Sequence, residues 1–225
     1  MKKSVIALAA LFAAVGAQAA TVSFSTGTIG PTATELVSTV NFGTLSLFDT
    51  MGGLRTLTGA TLFWDGGIES DITLTLNAVA PAPSNVRGRT SSDMTFDSTL
   101  ATLDALLAAV APSFLADTGN QLLNPGQTSV FSNISDSDSG SVGLGTILAS
   151  LTGVGTYNVG CNTATGLLIS GGNGQGGGSQ VTDGSCGFRV EYTYTERPPQ
   201  VPEPGSLALV GLTLAGLAAA RRRKV

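Results

Sequence analysis

Apolar and polar residues alternate along most of the chain. Asp71-Ile72-Thr73-Leu74-Thr75-Leu76-Asn77 puts Ile72, Leu74 and Leu76 on one face of an extended segment. Phe188-Arg189-Val190-Glu191-Tyr192-Thr193-Tyr194-Thr195 does the same, with Phe188, Val190, Tyr192 and Tyr194 on one side. Period two, with one apolar face, is the signature of a half-buried strand. The same reading predicts strands at 21–25, 35–40, 44–48, 57–64, 128–134, 146–151, 155–159 and 166–170. Asp65-Gly66-Gly67 and Asn124-Pro125-Gly126 read as turns between them. One stretch differs. From 98 to 110, Leu100, Leu103, Leu106, Leu107 and Val110 recur at helical spacing, Asp97 or Ser98 is placed to cap them, and Pro112 closes the run. The expected class is all-β: a jelly-roll-like β-sandwich over 20–196 with one short amphipathic helix. No fixed-period repeat points to a solenoid or propeller.

Two apolar runs at the ends do not alternate. Lys2 and Lys3 precede an uncharged run from 5 to 15, which leads into Ala17-Gln18-Ala19. A basic start, a short apolar core and an A-x-A exit make residues 1–19 a secretory signal helix cut after Ala19 by signal peptidase, following export through the Sec machinery. At the other end, residues 197–204 form a proline-rich linker and residues 205–220 carry no charge. Arg221, Arg222, Arg223 and Lys224 follow in the tail 221–225. Sixteen helical residues reach roughly 24 Å, enough for a short transmembrane helix with snorkelling arginines. The basic cluster stays cytoplasmic and holds the body outside.

Val201-Pro202-Glu203-Pro204, the apolar run and the terminal basic cluster, in that order, resemble the PEP-CTERM sorting signal of Gram-negative bacteria. The resemblance implies processing by an exosortase, a membrane transpeptidase-like enzyme. Pro202, Glu203 and Pro204 would be its recognition element, and Arg221, Arg222, Arg223 and Lys224 the basic stop. It also implies an association with exopolysaccharide and biofilm, and a final place at the cell surface or in the extracellular matrix.

Charge sharpens the division. The whole chain is −4, but six of its eleven basic residues sit at the ends, so residues 20–200 carry −9 and contain no Lys. An acidic body excludes an electrostatic nucleic-acid binder. The chain has no His, which removes imidazole bases and imidazole metal ligands. The absence of body Lys removes a Ser-Lys dyad.

Three blocks of the body also resemble the choice-of-anchor E domain, a bacterial surface domain found with alternative C-terminal anchors. They are Leu47-Phe48-Asp49-Thr50-Met51-Gly52-Gly53-Leu54 with Leu57-Thr58-Gly59-Ala60-Thr61-Leu62, then Leu151-Thr152-Gly153-Val154-Gly155-Thr156-Tyr157, and the final strand from Val190 to Thr195. The glycine-rich insert between the cysteines departs from that pattern. The resemblance implies a surface role and brings no catalytic residues.

Few residues offer chemistry. Cys161 and Cys186, an even count in an exported chain, read as a disulfide around the glycine-rich stretch, which reads as a mobile loop. A catalytic thiol lacks a neighbouring base. Asp136 and Asp138 in Ser135-Asp136-Ser137-Asp138-Ser139-Gly140 offer hard oxygens for calcium. The rest of a calcium loop is missing there, so a solvated turn is expected and no cofactor is required. Trp64, the single tryptophan, is the one candidate for stacking on a sugar, against its more usual fate in a core. The reading that follows is an exported, non-enzymatic surface or matrix protein. A carbohydrate-binding module is the alternative, and a glycosidase with paired carboxylates a remote one.

Overall fold

The structure is a computed structural model that describes residues 19–34, 41–197 and 213. The signal helix, the strand expected at 35–40, the PEP motif at Pro202–Pro204, the transmembrane helix at 205–220 and the basic stop lie outside the described residues, Ala19 and Thr213 excepted. Among the described residues no helix is long and apolar enough to cross a membrane.

Within 19–197 the described residues form nine strands and one α-helix in order: β1 (Ala19–Ala33), β2 (Asn41–Ser46), β3 (Arg55–Leu76), β4 (Ser84–Ser98), α1 (Ala101–Leu107), β5 (Ser113–Asp117), β6 (Gln121–Leu123), β7 (Thr128–Gly143), β8 (Thr156–Gly171) and β9 (Gly176–Glu196). They form two antiparallel sheets. One has the order β1-β9-β3-β7, the other β2-β8-β4-β5, with β6 also on β4. The pairing follows one rule. The first strand pairs the last, the second the eighth, the third the seventh and the fourth the sixth. The chain is thus one long hairpin rolled up, and the lateral pairs β3–β9 and β4–β8 close the roll. That wiring is the double-sheet jelly roll.

The alternating segments fold as their pattern dictates. Ile72, Leu74, Leu76, Phe188, Val190 and Tyr192 all point inward and are buried, each removing apolar surface worth about 1.5–3 kcal/mol. Several predicted boundaries are wrong. Asp65-Gly66-Gly67 is not a turn: β3 runs through it for 22 residues. Gly66 faces inward, where a Cβ would lie 2.9 Å from Met94 Sδ. Likewise 155–159 and 166–170 are one strand, β8. The segment 146–151 forms helical turns, with Leu151 N–H donating to the carbonyls of Ile147 and Leu148. Leu144 and Leu151 are both buried seven residues apart, at helical spacing.

The glycine-rich stretch is not a loose loop. Gly172–Gly174 make a single 3-10 turn that carries the chain from one sheet to the other, and Gly176, Gly177 and Gly178 enter β9 opposite Leu76, Thr75 and Leu74. Gly178 permits that approach, since a Cβ there would fall 2.2 Å from the Thr73 carbonyl oxygen. The helix is shorter than its sequence pattern. Leu100 occupies the N-cap position without a side-chain bond, while Ser98 Oγ accepts from the Leu100 amide and Asp104 Oδ1 accepts from the Ser98 amide.

The core has two parts. The larger is built around Leu45, Phe48, Trp64, Phe96, Phe188 and Tyr192, the smaller around Ile72, Leu74, Leu76, Val86 and Leu123. Buried hydroxyls lie along the strands between them. Ser70 bonds Thr90 (3.2 Å) and Thr182 (2.7 Å), and Thr34 donates to the Thr182 carbonyl. Ser92 lies two residues along β4 from Thr90, and its buried Oγ has no partner. Polar groups in a low-dielectric interior are stable only when satisfied, so this belt fixes the register of the sheets wherever its bonds are complete.

Candidate functional site

The pairing of first and last strands brings both ends of the body to one pole. Ala19 lies opposite Thr195 and Ala20 opposite Tyr194. Arg55, which opens β3, lies opposite Glu196, and the Arg197 amide donates to the Leu54 carbonyl at 2.8 Å. The expected signal-peptidase residue Ala19 is therefore the first residue of β1, and its partner Ala17 precedes the described residues. The chain leaves for the sorting segment only a few ångströms away.

Two short loops complete this pole. Residues 49–54 join β2 to β3, and residues 151–155 precede β8. Leu47 N–H donates to the Gly155 carbonyl, Phe48 N–H to Leu151, and Gly153 N–H to Phe48. Below them, the Tyr192 hydroxyl donates to the Ser46 carbonyl at 2.9 Å, and Phe48 packs edge-on against the Tyr192 ring. Burial raises the Tyr192 hydroxyl above the usual phenol range and the Tyr157 hydroxyl further still, so both remain protonated donors. The three sequence blocks that resembled a surface domain all meet here: the loop 47–54 with the start of β3, the segment 151–157, and the end of β9.

The cysteines are joined, with Cα atoms 6.5 Å apart. Cys161 stands on β8 in one sheet and Cys186 on β9 in the other, so the bridge staples the two layers of the sandwich. A catalytic thiol is excluded by this bond.

Trp64 does not present a sugar platform. It is buried, its ring 5.2 Å from that of Phe96. Gly140 on β7 leaves the space it fills, for a Cβ there would sit 2.7 Å from the indole. Its neighbour Phe63 lies on the outward face, half-buried beneath the Arg189 guanidinium at 4.1 Å.

Asp136 and Asp138 are not in a turn either, since β7 runs through them as an edge strand. Asp136 Oδ2 accepts from the Leu115 amide of β5 at 2.8 Å, and its Oδ1 from Ser137. Asp138 Oδ1 accepts from Ser139. Asp136 thus closes the open side of the sandwich, where an unpaired edge amide would otherwise invite another strand. Among the described residues no three His, Cys, Asp or Glu side chains converge as a metal site.

An open depression of about 530 Å3 lies on the first sheet. It is lined by Thr28, Asp65, Gly67, Ser137, Asp138 and Ser185, among others. Asp65 lies against Gly187 of β9, where a Cβ would be 2.7 Å from its carboxylate. Sequence reasoning missed this trough, because its residues come from four strands that lie far apart in the chain.

A family model, PEP-CTERM protein-sorting motif, matches residues 200–224. Residues 200–224 are a PEP-CTERM sorting motif. It begins three residues beyond Arg197 in the sequence and implies an exosortase as the processing partner of an exported protein. No curated protein matches the chain. Among solved structures, similarity is found to a T13 IBDV viral particle, with 7% identity over 90% of this chain and 48% of that one, TM-score 0.18. It is also found to infectious bursal disease virus Gx strain (9%, 80% and 37%, TM-score 0.16). A third is the 2.6 Å structure of T=1 particles derived from infectious bursal virus (6%, 88% and 47%, TM-score 0.19). The chain spans half or less of those chains, and scores this low establish no kinship.

Proposed function

We propose that this is a non-enzymatic cell-surface or biofilm-matrix protein, delivered outside as a folded, disulfide-stapled jelly roll. In this reading residues 1–19 are removed by signal peptidase. The segment 205–220 then holds the chain transiently in the inner membrane until exosortase acts at Pro202, Glu203 and Pro204. The observation that carries it is the sorting motif placed within a few residues of a rigid strand end at Arg197. The body's likeness to a choice-of-anchor E domain fits the same role. The glycosidase alternative needs an acid kept protonated by an apolar wall. Asp65 and Asp138, the carboxylates of the trough, are both exposed, which favours the non-enzymatic reading. The test is fractionation of producing cells with mass analysis of the product. Wild-type protein is expected outside and lacking residues 205–225. Glu203→Ala, or loss of the exosortase, is expected to leave the uncut chain in the membrane. Uncut chain at the surface of wild-type cells would sink the idea.

Carbohydrate binding is the second reading, and the trough now favours it over Trp64. Hydroxyls from Thr28, Ser137, Ser139 and Ser185 beside two carboxylates suit a neutral polyhydroxylated ligand. A body carrying −9 repels anionic polymers. Retention on extracted exopolysaccharide should be lost in Asp65→Ala/Asp138→Ala; absence of retention by the wild type ends this reading.

A further inference from the structure

We propose that the exit pole is a lipid-contacting surface: the tips of the loops 49–54 and 151–155 rest in the headgroup layer while the chain is anchored through residues 205–220. This rests on the transient-anchor reading above.

The tips are apolar where a solvated pole has no use for it. Met51, Leu54 and Val154 are 50%, 55% and 88% exposed. Two of them stand at points that only tight backbone turns create. Met51 itself has φ +48° and precedes Gly52 and Gly53, both at positive φ; Val154 lies between Gly153 and Gly155, also at positive φ. A Cβ added to Gly52, Gly53 or Gly155 would meet no atom, so these tips stand clear of the rest of the fold. The hydrogen bonds of Leu47 and Phe48 to residues 151–155 hold both loops on one end of the sandwich.

Charge points the same way. The pole carries Asp49, Arg55, Glu196 and Arg197, which sum to zero, while the body as a whole is −9. The Asp49 carboxylate accepts from the Met51 amide, and Glu196 is paired with Arg55 at 2.9 Å. An anionic bilayer repels the acidic sheet faces and not this end.

The tether fixes the orientation. From Arg197 to Gly205, where the apolar run begins, there are eight Cα steps, at most roughly 28 Å when fully extended. By contrast β3 alone has 22 residues, which at roughly 3.3 Å each spans tens of ångströms from this pole to the other. The pole bearing Met51, Leu54 and Val154 is therefore the one the tether keeps beside the bilayer. Amphipathic surfaces of this kind bury their apolar part some 5–10 Å into the interface.

The experiment uses the full chain reconstituted into vesicles of phosphatidylcholine and phosphatidylglycerol, with and without brominated acyl chains. Val154→Trp and Met51→Trp place a reporter on the pole, and Val79→Trp places one in the exposed loop after β3, at the far end. The buried native Trp64 supplies the common baseline. Circular dichroism matching the wild type certifies each fold. Brominated lipid should quench the added emission of Val154→Trp and Met51→Trp at least roughly twofold more than that of Val79→Trp, as interfacial burial requires. Flotation of the chain with equal quenching at both ends overturns the lipid-contacting pole and leaves the anchor reading intact. Failure to float overturns the anchor reading, and this proposal with it.

Discussion

Cutting the Cys161–Cys186 bridge tests how the jelly roll is held together. The two residues are 25 apart in sequence, and in the chain-entropy model closing such a loop in the unfolded chain is worth about 3.5 kcal/mol at 25 °C. Reduction removes that contribution and leaves both sulfur atoms in place. Cys161→Ala/Cys186→Ala removes it and also the packing of Cys186, which is buried between Ile29 of β1 and Gly66 of β3. That truncation should add about 1 kcal/mol. The expected order in urea unfolding is therefore oxidised wild type, then reduced wild type about 3.5 kcal/mol lower, then the double alanine variant about 4.5 kcal/mol lower. The single variants should each lose nearly as much as the double, since either one opens the loop. The slope of free energy against urea should rise when the bridge is absent, because the unfolded chain then exposes more surface. A loss below about 1 kcal/mol on reduction, with the slope unchanged, would falsify the loop-closure reasoning. It would mean that residual contacts between the β8 and β9 segments already hold the two cysteines near each other in the denatured state.

Two further outcomes follow from the interior and the second sheet. Ser92→Ala should stabilise the body by about 1 kcal/mol in the same assay, because its buried hydroxyl has no partner; a loss of that size would show that the hydroxyl is satisfied in solution. Arg87, hydrogen-bonding Asp117 at 2.8 Å through Nε, and Arg89 at 3.2 Å hold the Asp117 carboxyl down at about 2. An unfolded aspartate titrates near 3.9, so this contribution is fully present above about pH 4 and lost as pH falls towards 2. Asp117→Asn should lower stability at pH 6 and flatten its decline between pH 4 and 2; an unchanged acid limb would refute the assignment.

The strands that were legible in the sequence are those with one wet and one dry face. Phe188, Val190, Tyr192 and Tyr194 announce β9 because their neighbours face solvent. What escaped was strand without contrast. Ser135 to Gly140 is polar on both sides because it edges the sheet, so it reads as a turn by composition. For their glycines Asp65-Gly66-Gly67 reads as a turn and Gly176–Gly178 as part of a mobile loop, whereas the fold uses those glycines for closeness, to Met94 and to the Thr73 carbonyl. The apolar content of Trp64 was visible, but its direction was not, because Phe63 beside it is equally apolar. The PEP motif needed no fold at all to be read. The trough and the pole were invisible because each assembles residues more than a hundred positions apart.

The adjacency of first and last strands also decides how the body bears load. In the proposed role, with the body held through its C-terminus, tension from flow would enter at Arg197 and run along β9. That strand is zipped to β1 on one side and β3 on the other, so pulling along its axis strains many ladder bonds at once in shear, and none can be opened singly from an end. Eleven residues in, at Cys186, the force crosses a covalent bond into β8 and is shared with the second sheet. The staple thus sets the longest stretch of chain that traction can strip from the body.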